Sequence, residues 1–393
     1  MHLPLPSHRP ALFPCRRKAT LLGLAILATV ACLSASTVEG LDGSLRLDQV
    51  QYIGTHNSYH IAPGAEIAAL VLRENFSLRD PWTAPRLVEA TDFTHPPLAQ
   101  QLRAGHRLFE LDVHDDPTGG RYAAPGFLLL LGDQAPPIPG LDDLRRPGFK
   151  VFHEPEWDFR STNHLLSSWL RELETWSRTN PDHLPLIVQI EAKQPVRMPD
   201  IGGRPAIPSL DFTCETWRRL EEEIKSVIPT RKIFTPDGLR GDHADLREAV
   251  ALRGWPTLLE LRGRFIFLLL NKEPETRTYL QLDAGLRGRL FFASVGPEDP
   301  AAAWFRVPDP TRPGVRDLVS RGFLATVLAD QHTHAARRND PAQRESAFAS
   351  GAQFILTDFP TPDSRFSEYC VRFSNGAYVR PNPARFATAP SDR

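Results

Sequence analysis

Long apolar runs recur along the chain and are separated by segments with helical periodicity. Two of them, LIVQI and FIFLLL, are apolar almost throughout, which is typical of parallel strands covered on both faces. The pattern predicts strands at Val50–Gly54, Arg107–Val113, Phe149–Phe152, Leu186–Glu191, Arg264–Leu270, Leu290–Val295, Gly322–Leu328 and Gln353–Thr357. It predicts amphipathic helices at Leu98–Ala104, Thr162–Arg178, Phe212–Ser226, Ala244–Ala251 and Pro341–Ser350.

Eight strands joined by helical crossovers predict an α/β fold, a TIM-type (β/α)8 barrel in a single domain. Some distortion or incomplete closure of the barrel is consistent with the pattern. The 393 residues are enough for such a barrel with insertions. We predict a signal peptide over residues 1–36, a catalytic barrel over 45–372 and a C-terminal extension over 373–393.

The first forty residues have the features of a secretory signal peptide. Arg16, Arg17 and Lys18 precede the apolar run Ala19–Leu33, and small residues follow. The run is short for a membrane span, and no other stretch is apolar enough to cross a bilayer. We therefore expect export to the extracellular space or periplasm. A lipoprotein site ending at Cys32 is disfavoured, since Thr29 stands where leucine is usual.

The composition argues against nucleic acid as a partner. The formal net charge is −1 with 24% charged residues, and no local basic tract exists, so nucleic-acid binding is not expected. We expect a monomer. Removal of the signal leaves Cys214 and Cys370, which could form a disulfide in an oxidising compartment or remain two thiols.

The segment Val50–His60 is the first candidate for a functional site. Its apolar strand breaks at Gly54 and is followed by Thr55, His56, Asn57 and Ser58. Barrels and open sheets present their reactive side chains at this carboxyl edge. A lone histidine after a strand is more often structural, but three later predicted strands end in groups that could complete one site.

Carboxylates at two of those strand ends indicate a cation site. Glu110 and Asp112 are two residues apart and project to the same face of a strand, as do Glu191 and Lys193. A cation relieves the repulsion between buried carboxylates. The alternatives are a half-exposed edge strand and a simple Glu191–Lys193 ion pair. With Asn57, these groups form an all-oxygen ligand set, which favours Ca²⁺ or Mg²⁺ over zinc.

Two histidines, His56 and His153, are predicted to flank that cation. Paired imidazoles suit general base and general acid roles in phosphoryl transfer. His114 competes with His153 for the acid role, but His153 ends its own predicted strand. His332 and His334 could line the rim.

Five motifs carry a resemblance to a known family. They are IGTHNSYH, FELDVH, FKVFHEPEWDFRST, IVQIEAK and GAQFILTDFP, in this order from Val50 to Pro360. In combination they resemble the bacterial and fungal calcium-dependent phosphatidylinositol-specific phospholipase C family. The resemblance implies a TIM-type barrel that acts on a phospholipid at a membrane surface. It also implies cleavage of phosphatidylinositol to diacylglycerol and an inositol phosphate, with the inositol 2-hydroxyl attacking phosphorus to give a cyclic product.

The resemblance also assigns roles to residues. His56 becomes the general base and His153 the acid that protonates the leaving oxygen. The implied Ca²⁺ ligands are Asn57, Glu110, Asp112 and Glu191. Lys193 is the implied contact to phosphate or inositol.

Two departures and two alternatives qualify the resemblance. Thr326 and Leu328 stand where the family usually carries arginines, and the insertion Pro63–Thr94 lengthens the first crossover. A related phosphodiesterase acting on glycerophosphodiesters or sphingomyelin is one alternative, although Asn57 argues against the former. The other is a lipid-headgroup-binding barrel without turnover, which would not need two histidines.

The segment Ala123–Leu131 could contact a membrane, form a buried loop or add a strand.

Overall fold

A computed structural model of the protein describes residues 40–78 and 80–386, so the predicted signal peptide lies outside the described residues. The strands are β1 (Val50–Thr55), β2 (Leu108–His114), β3 (Lys150–Val151), β4 (Leu186–Ala192), β5 (Phe265–Leu269), β6 (Phe291–Ala293), β7 (Trp304–Arg306), β8 (Leu324–Leu328), β9 (Phe354–Thr357) and β10 (Val379–Pro381). The α-helices are α1 (Ala65–Arg73), α2 (Ala84–Ala90), α3 (Leu98–Ala104), α4 (Gly126–Leu131), α5 (Leu166–Thr179), α6 (Cys214–Val227), α7 (Pro236–Arg240), α8 (Leu246–Leu252), α9 (Leu258–Leu261), α10 (Glu275–Leu280), α11 (Gly314–Ser320), α12 (His334–Arg338), α13 (Ala342–Ser350) and α14 (Pro383–Phe386).

Among the described residues, eight parallel strands form a nearly closed barrel with the order β6-β5-β4-β2-β1-β9-β8-β7. A single parallel bridge between Ser294 and Trp304 joins its two outer strands. The predicted TIM-type (β/α)8 barrel is confirmed, including the incomplete closure. The apolar runs of β4 and β5 are neighbouring strands of this barrel, and burial of both of their faces explains their lack of alternation.

One predicted strand is wrong and one barrel strand was missed. The segment predicted as the strand Phe149–Phe152 contributes only β3, which pairs antiparallel with the end of β2 through Val113 and Val151. The barrel strand that the pattern missed is β7 (Trp304–Arg306). Three residues ending in an arginine are too short to produce a strand signal in the sequence.

The interior of the barrel accounts for one departure from the family pattern. The hydroxyl of Thr326 on β8 accepts hydrogen bonds from Trp304 Nε1 and Gln189 Nε2, both at 2.9 Å. All three residues are buried. Thr326 is therefore committed to packing inside the barrel.

The insertion Pro63–Thr94 forms a second apolar cluster outside the barrel. Its helices α1 and α2 bury Ile67 and Leu87 with Phe127 of α4 and Trp157. Within the segment Ala123–Leu131, predicted as a membrane contact, buried loop or strand, residues Gly126–Leu131 form α4, so the strand alternative is wrong. Leu129 and Leu130 of α4 are exposed.

The structure also describes the two cysteines and the predicted C-terminal extension. Cys214 and Cys370 are free thiols, so the disulfide alternative is wrong. The predicted C-terminal extension contributes β10, which pairs antiparallel with β1. Within residues 40–78 and 80–386, none of the helices has the length and apolar character needed to span a bilayer.

Gly54 of β1 packs directly against Leu108 of β2. A Cβ atom at Gly54 would lie 2.4 Å from both Cγ and the carbonyl oxygen of Leu108. Because a backbone atom is involved, no rotamer change relieves the overlap. We expect Gly54→Ala to lower the free energy of unfolding by about 3 kcal/mol, measured by urea denaturation. Gly296→Ala is the control, since its added Cβ meets no atom within 4 Å. Equal denaturation midpoints for the two variants would contradict the packing argument.

Candidate active site

Strand register creates a cluster of three carboxylates. Asp112 of β2 and Glu191 of β4 are register partners in a parallel ladder, and Glu110 lies two residues before Asp112 on the same face. Ligand oxygens of these three residues all lie within 4.8 Å of one another. Glu110 and Asp112 are buried, and the side chain of Glu191 is 27% exposed. The structure therefore brings together the three acidic residues that were predicted to bind a cation.

Two cations partly balance this acid cluster of Glu110, Asp112 and Glu191. Lys193 Nζ lies 3.2 Å from Asp112 Oδ2 and 3.8 Å from Glu191 Oε1. Arg306 Nη2 lies 3.3 Å from Glu191 Oε2. The Glu191–Lys193 ion pair, raised as an alternative, exists within this larger network. Arg306 escaped sequence reasoning because it belongs to the missed strand β7.

The acid cluster fits a bound cation. Glu110 Oε2 is buried, and no hydrogen-bond partner exists for it among the described residues. Burial raises the pKa of Glu110 to about 7, and the neighbouring Asp112 carboxylate adds to the rise. The nearest cationic group to Glu110 is His56, whose Nε2 is 3.8 Å away, and a buried carboxylate without a hydrogen bond is costly unless a proton or a cation neutralises it. Asn57, held at φ 48° beside β1, has an amide oxygen that accepts from the Tyr59 hydroxyl at 3.1 Å. Carboxylate and amide oxygens are the ligands that Ca²⁺ prefers.

His56 is oriented by a carboxylate that sequence reasoning did not assign. Thr55 and Thr357 are register partners at the ends of β1 and β9, so the next residues, His56 and Asp358, emerge side by side. His56 Nδ1 and Asp358 Oδ1 are 2.7 Å apart, and Nε2 lies 3.8 Å from Glu110 Oε2. Burial alone would lower the pKa of His56, but the carboxylates of Glu110 and Asp358 outweigh it and raise that pKa to about 10. Positive charge at the acid cluster would oppose this rise, because it disfavours the protonated imidazole.

His153 has a second buried carboxylate as its partner. Asp158 folds back through a bridge to Glu154, and its Oδ2 lies 2.7 Å from His153 Nδ1. The other oxygen of Asp158 is 2.9 Å from Nε2 of the buried His60. Burial and nearby Lys193 would lower the pKa of His153, but the hydrogen bond to Asp158 raises it above its ordinary value. His153 therefore reaches the site from the loop after β3 and not, as predicted, from a barrel strand.

The other candidate histidines, His114, His332 and His334, lie in different environments. His114 is fully buried, with Nδ1 bonded to the Ser209 hydroxyl at 2.8 Å and Nε2 bonded to the carbonyl of Phe152 at 2.9 Å. Both ring nitrogens are therefore occupied by packing interactions. His332 and His56 line the same cavity, whereas His334 Nδ1 pairs with Glu89 Oε1 at 3.3 Å.

The sequence contained signals for the two orienting carboxylates. Asp358 directly follows the apolar run of β9, just as His56 directly follows β1. Asp158 lies five residues after His153 in HEPEWD. The pairing of Asp358 with His56 joins segments 302 residues apart and depends on the barrel's closure, whereas Asp158 pairs with His153 within one loop.

The comparisons with known proteins agree with this geometry. Residues 45–383 match the sequence model of the family described as phosphoinositide phospholipase C, Ca²⁺-dependent. The chain belongs to this family. Membership confirms the resemblance and makes the protein a phosphodiesterase of the phospholipase C type, so the non-catalytic alternative is wrong. The family's Ca²⁺ dependence agrees with the oxygen-ligand cluster.

A solved structure with a TM-score above 0.5 shares the fold at low identity. A calcium-dependent phosphoinositol-specific phospholipase C from a Pseudomonas species has 14% identity and a TM-score of 0.51, over 88% of this chain and 99% of that chain. A Ca²⁺-dependent phosphatidylinositol-specific phospholipase C from Streptomyces antibioticus has 16% identity and a TM-score of 0.49, over 80% and 94%. No curated protein matches the sequence. Export and a monomeric state stay predictions.

Proposed function

We propose that the protein cleaves phosphatidylinositol to diacylglycerol and an inositol phosphate in a Ca²⁺-dependent reaction. One arrangement supports this assignment above all: two histidines, each bonded through Nδ1 to a buried carboxylate, lie beside three clustered carboxylates. Orientation through Nδ1 leaves Nε2 of each ring as the nitrogen that exchanges a proton with substrate. The arrangement supplies a base and an acid.

In the proposed reaction, His56 Nε2 accepts the proton of the inositol 2-hydroxyl while Asp358 stabilises the imidazolium that forms. The 2-oxygen bonds to phosphorus as the bond from phosphorus to the diacylglycerol oxygen breaks. His153 Nε2 gives its proton to that leaving oxygen, with Asp158 holding the ring. A cyclic inositol phosphate and diacylglycerol result. Water can then open the cyclic ester with the two histidines in exchanged roles.

The proposed Ca²⁺ ligands are Asn57, Glu110, Asp112 and Glu191. When bound there, the ion would lower the pKa of a hydroxyl in contact with it and stabilise negative charge on phosphate oxygens. Lys193 and Arg306 border the acid cluster and are proposed to contact the phosphate or inositol hydroxyls. Their positive charges would favour an anionic diester.

Cleavage of phosphatidylinositol vesicles tests this function directly. With Ca²⁺ present, we expect diacylglycerol release and a cyclic inositol phosphate resonance in the ³¹P spectrum; excess chelator should abolish both. Vesicles of sphingomyelin and solutions of glycerophosphocholine, neither of which contains inositol, are assayed in parallel to measure the alternatives. Cleavage of either in preference to phosphatidylinositol would contradict the headgroup assignment, and full activity in chelator would contradict the metal site.

A further inference from the structure

An apolar cavity of about 240 Å³ opens beside the two histidines. His56 and His153 form part of its wall, and the insertion Pro63–Thr94 forms much of the rest through Leu78, Trp82 and Leu87. Trp157 completes it. The cavity thus begins at the proposed reacting atoms and extends under a segment that the barrel does not require.

Asn57, Glu154 and Asp358 also line the cavity beside the two histidines, and the rest of its lining is mostly apolar. Among the residues that line the cavity, none belongs to the acid cluster, and neither Lys193 nor Arg306 is included. In a displacement at phosphorus, the attacking and leaving oxygens lie roughly in line on opposite sides. A polyhydroxylated headgroup matches the charged side, where hydroxyls find carboxylate and cationic partners. The leaving alcohol then points toward the apolar side.

Contacts with the barrel rim fix the insertion in place. Asp92 accepts from Arg337 Nη2 at 2.7 Å and from Arg365 Nη1 at 2.6 Å. The Thr333 hydroxyl donates to the carbonyl of Glu89 at 2.8 Å. The rings of Trp82 and His332 meet edge to face, with centroids 4.8 Å apart across the opening. Exposed ion pairs add little stability, but several that converge on one segment define its position.

We propose that this cavity is a subsite for the apolar part of the leaving alcohol, an inference that rests on the proposed function. Its volume is below the roughly 300–1,000 Å³ of pockets that enclose a whole drug-sized ligand. It therefore takes the glycerol carbons and the first methylenes of one chain, and not a complete diacylglycerol. The preferred substrates are inositol phosphodiesters whose leaving alcohol carries an alkyl chain, including single molecules outside a bilayer.

Water-soluble alkyl esters of inositol 1-phosphate test the subsite without a lipid surface. We would measure kcat/KM with Ca²⁺ for the methyl, butyl and octyl esters, each kept monomeric. The headgroup is constant, so only the leaving alcohol changes. Burial of a methylene contributes about fourfold, and we expect kcat/KM to rise by roughly that factor per carbon from methyl to butyl.

Two variants locate the effect in the cavity. Trp82→Ala removes one wall, and Ala90→Leu fills space in the lining. Each is expected to lower the butyl-to-methyl ratio of kcat/KM by about tenfold. Leu259→Ala, at a side chain on α9 that is 68% exposed, is the matched control and should keep the ratio of the unmodified protein.

Three outcomes would overturn the inference. Equal kcat/KM for all esters in the unmodified protein would show that the alkyl chain stays outside, whether or not the variants fold. An equal loss for every ester in Trp82→Ala would show that the cavity holds the inositol ring. If neither the esters nor phosphatidylinositol vesicles are cleaved with Ca²⁺, the proposed function itself is wrong; vesicle cleavage without chain-length dependence removes only the subsite.

Discussion

His56→Ala is expected to lower kcat/KM for phosphatidylinositol by about 10²–10⁴-fold, the range that a general base contributes. The imidazole is held against Asp358 at 2.7 Å through Nδ1, which leaves Nε2 to accept the proton of the 2-hydroxyl. Because the 2-hydroxyl must lose its proton whatever group departs, the loss should persist with every leaving alcohol. Single-turnover cleavage of vesicles and of an aryl inositol phosphate measures it.

His153→Ala provides the matched comparison. An acid is needed only when the leaving oxygen is basic, so this variant should lose about 10²–10⁴-fold on the alkyl diester. It should recover most activity on the aryl ester, whose phenolate departs without a proton. His243→Ala, at a partly exposed histidine near Glu248, is the control for loss of an imidazole elsewhere.

The pattern across leaving groups decides the two roles. If both variants respond equally to the aryl leaving group, the separate base and acid assignments are wrong. If the aryl ester rescues His56→Ala instead, the two roles are exchanged. Activity of His56→Ala within tenfold of the unmodified protein would remove that residue from the mechanism.

Glu110→Gln is expected to have opposite effects on stability with and without Ca²⁺. Without the ion, burial and Asp112 raise the pKa of Glu110 to about 7 even with His56 3.8 Å away, so replacing the carboxylate by a neutral amide should raise Tm. With Ca²⁺ at 100 times its Kd, the unmodified protein should gain about 2.7 kcal/mol of stability. The variant should lose most of that increment together with Ca²⁺-dependent turnover. Thermal melts across a Ca²⁺ titration measure both effects.

Glu154→Gln is the control for charge removal near the cluster. Glu154 Oε1 lies 3.4 Å from Lys193 Nζ but does not belong to the three-carboxylate group. This variant should keep the Ca²⁺ increment in Tm. A full increment in Glu110→Gln, or an equal loss in both variants, would place the ion elsewhere.

The sequence predicted the components of the site where the chemistry is local. Glu110 and Asp112 were identifiable as co-facial because alternation along one strand requires no knowledge of the rest of the chain. His56 and Asn57 stood out because they follow a buried strand that breaks at Gly54. The continuous apolar runs of β4 and β5 likewise predicted a parallel barrel, since only strands buried on both faces lack alternation.

Errors arose where a short segment takes its structure from its neighbours. β7 has three residues, and its place in the barrel depends on pairing with β8 through Trp304 and Leu324. The loop carrying His153 contributes only a two-residue strand to the end of β2. Neither pairing leaves a periodic pattern, so local reasoning placed one strand in the barrel wrongly and missed the other.

By itself, the sequence determined the barrel class and selected the proposed oxygen ligands and the two proposed catalytic histidines, because residue type and, for Glu110 and Asp112, strand alternation are local features. Only the tertiary structure decided how those groups are paired. Asp358 meets His56 because β9 closes against β1, and Arg306 reaches Glu191 across the barrel mouth. No local pattern in the sequence indicated the apolar cavity under the insertion. Contacts between distant segments form when the core closes, and no single stretch of sequence records them.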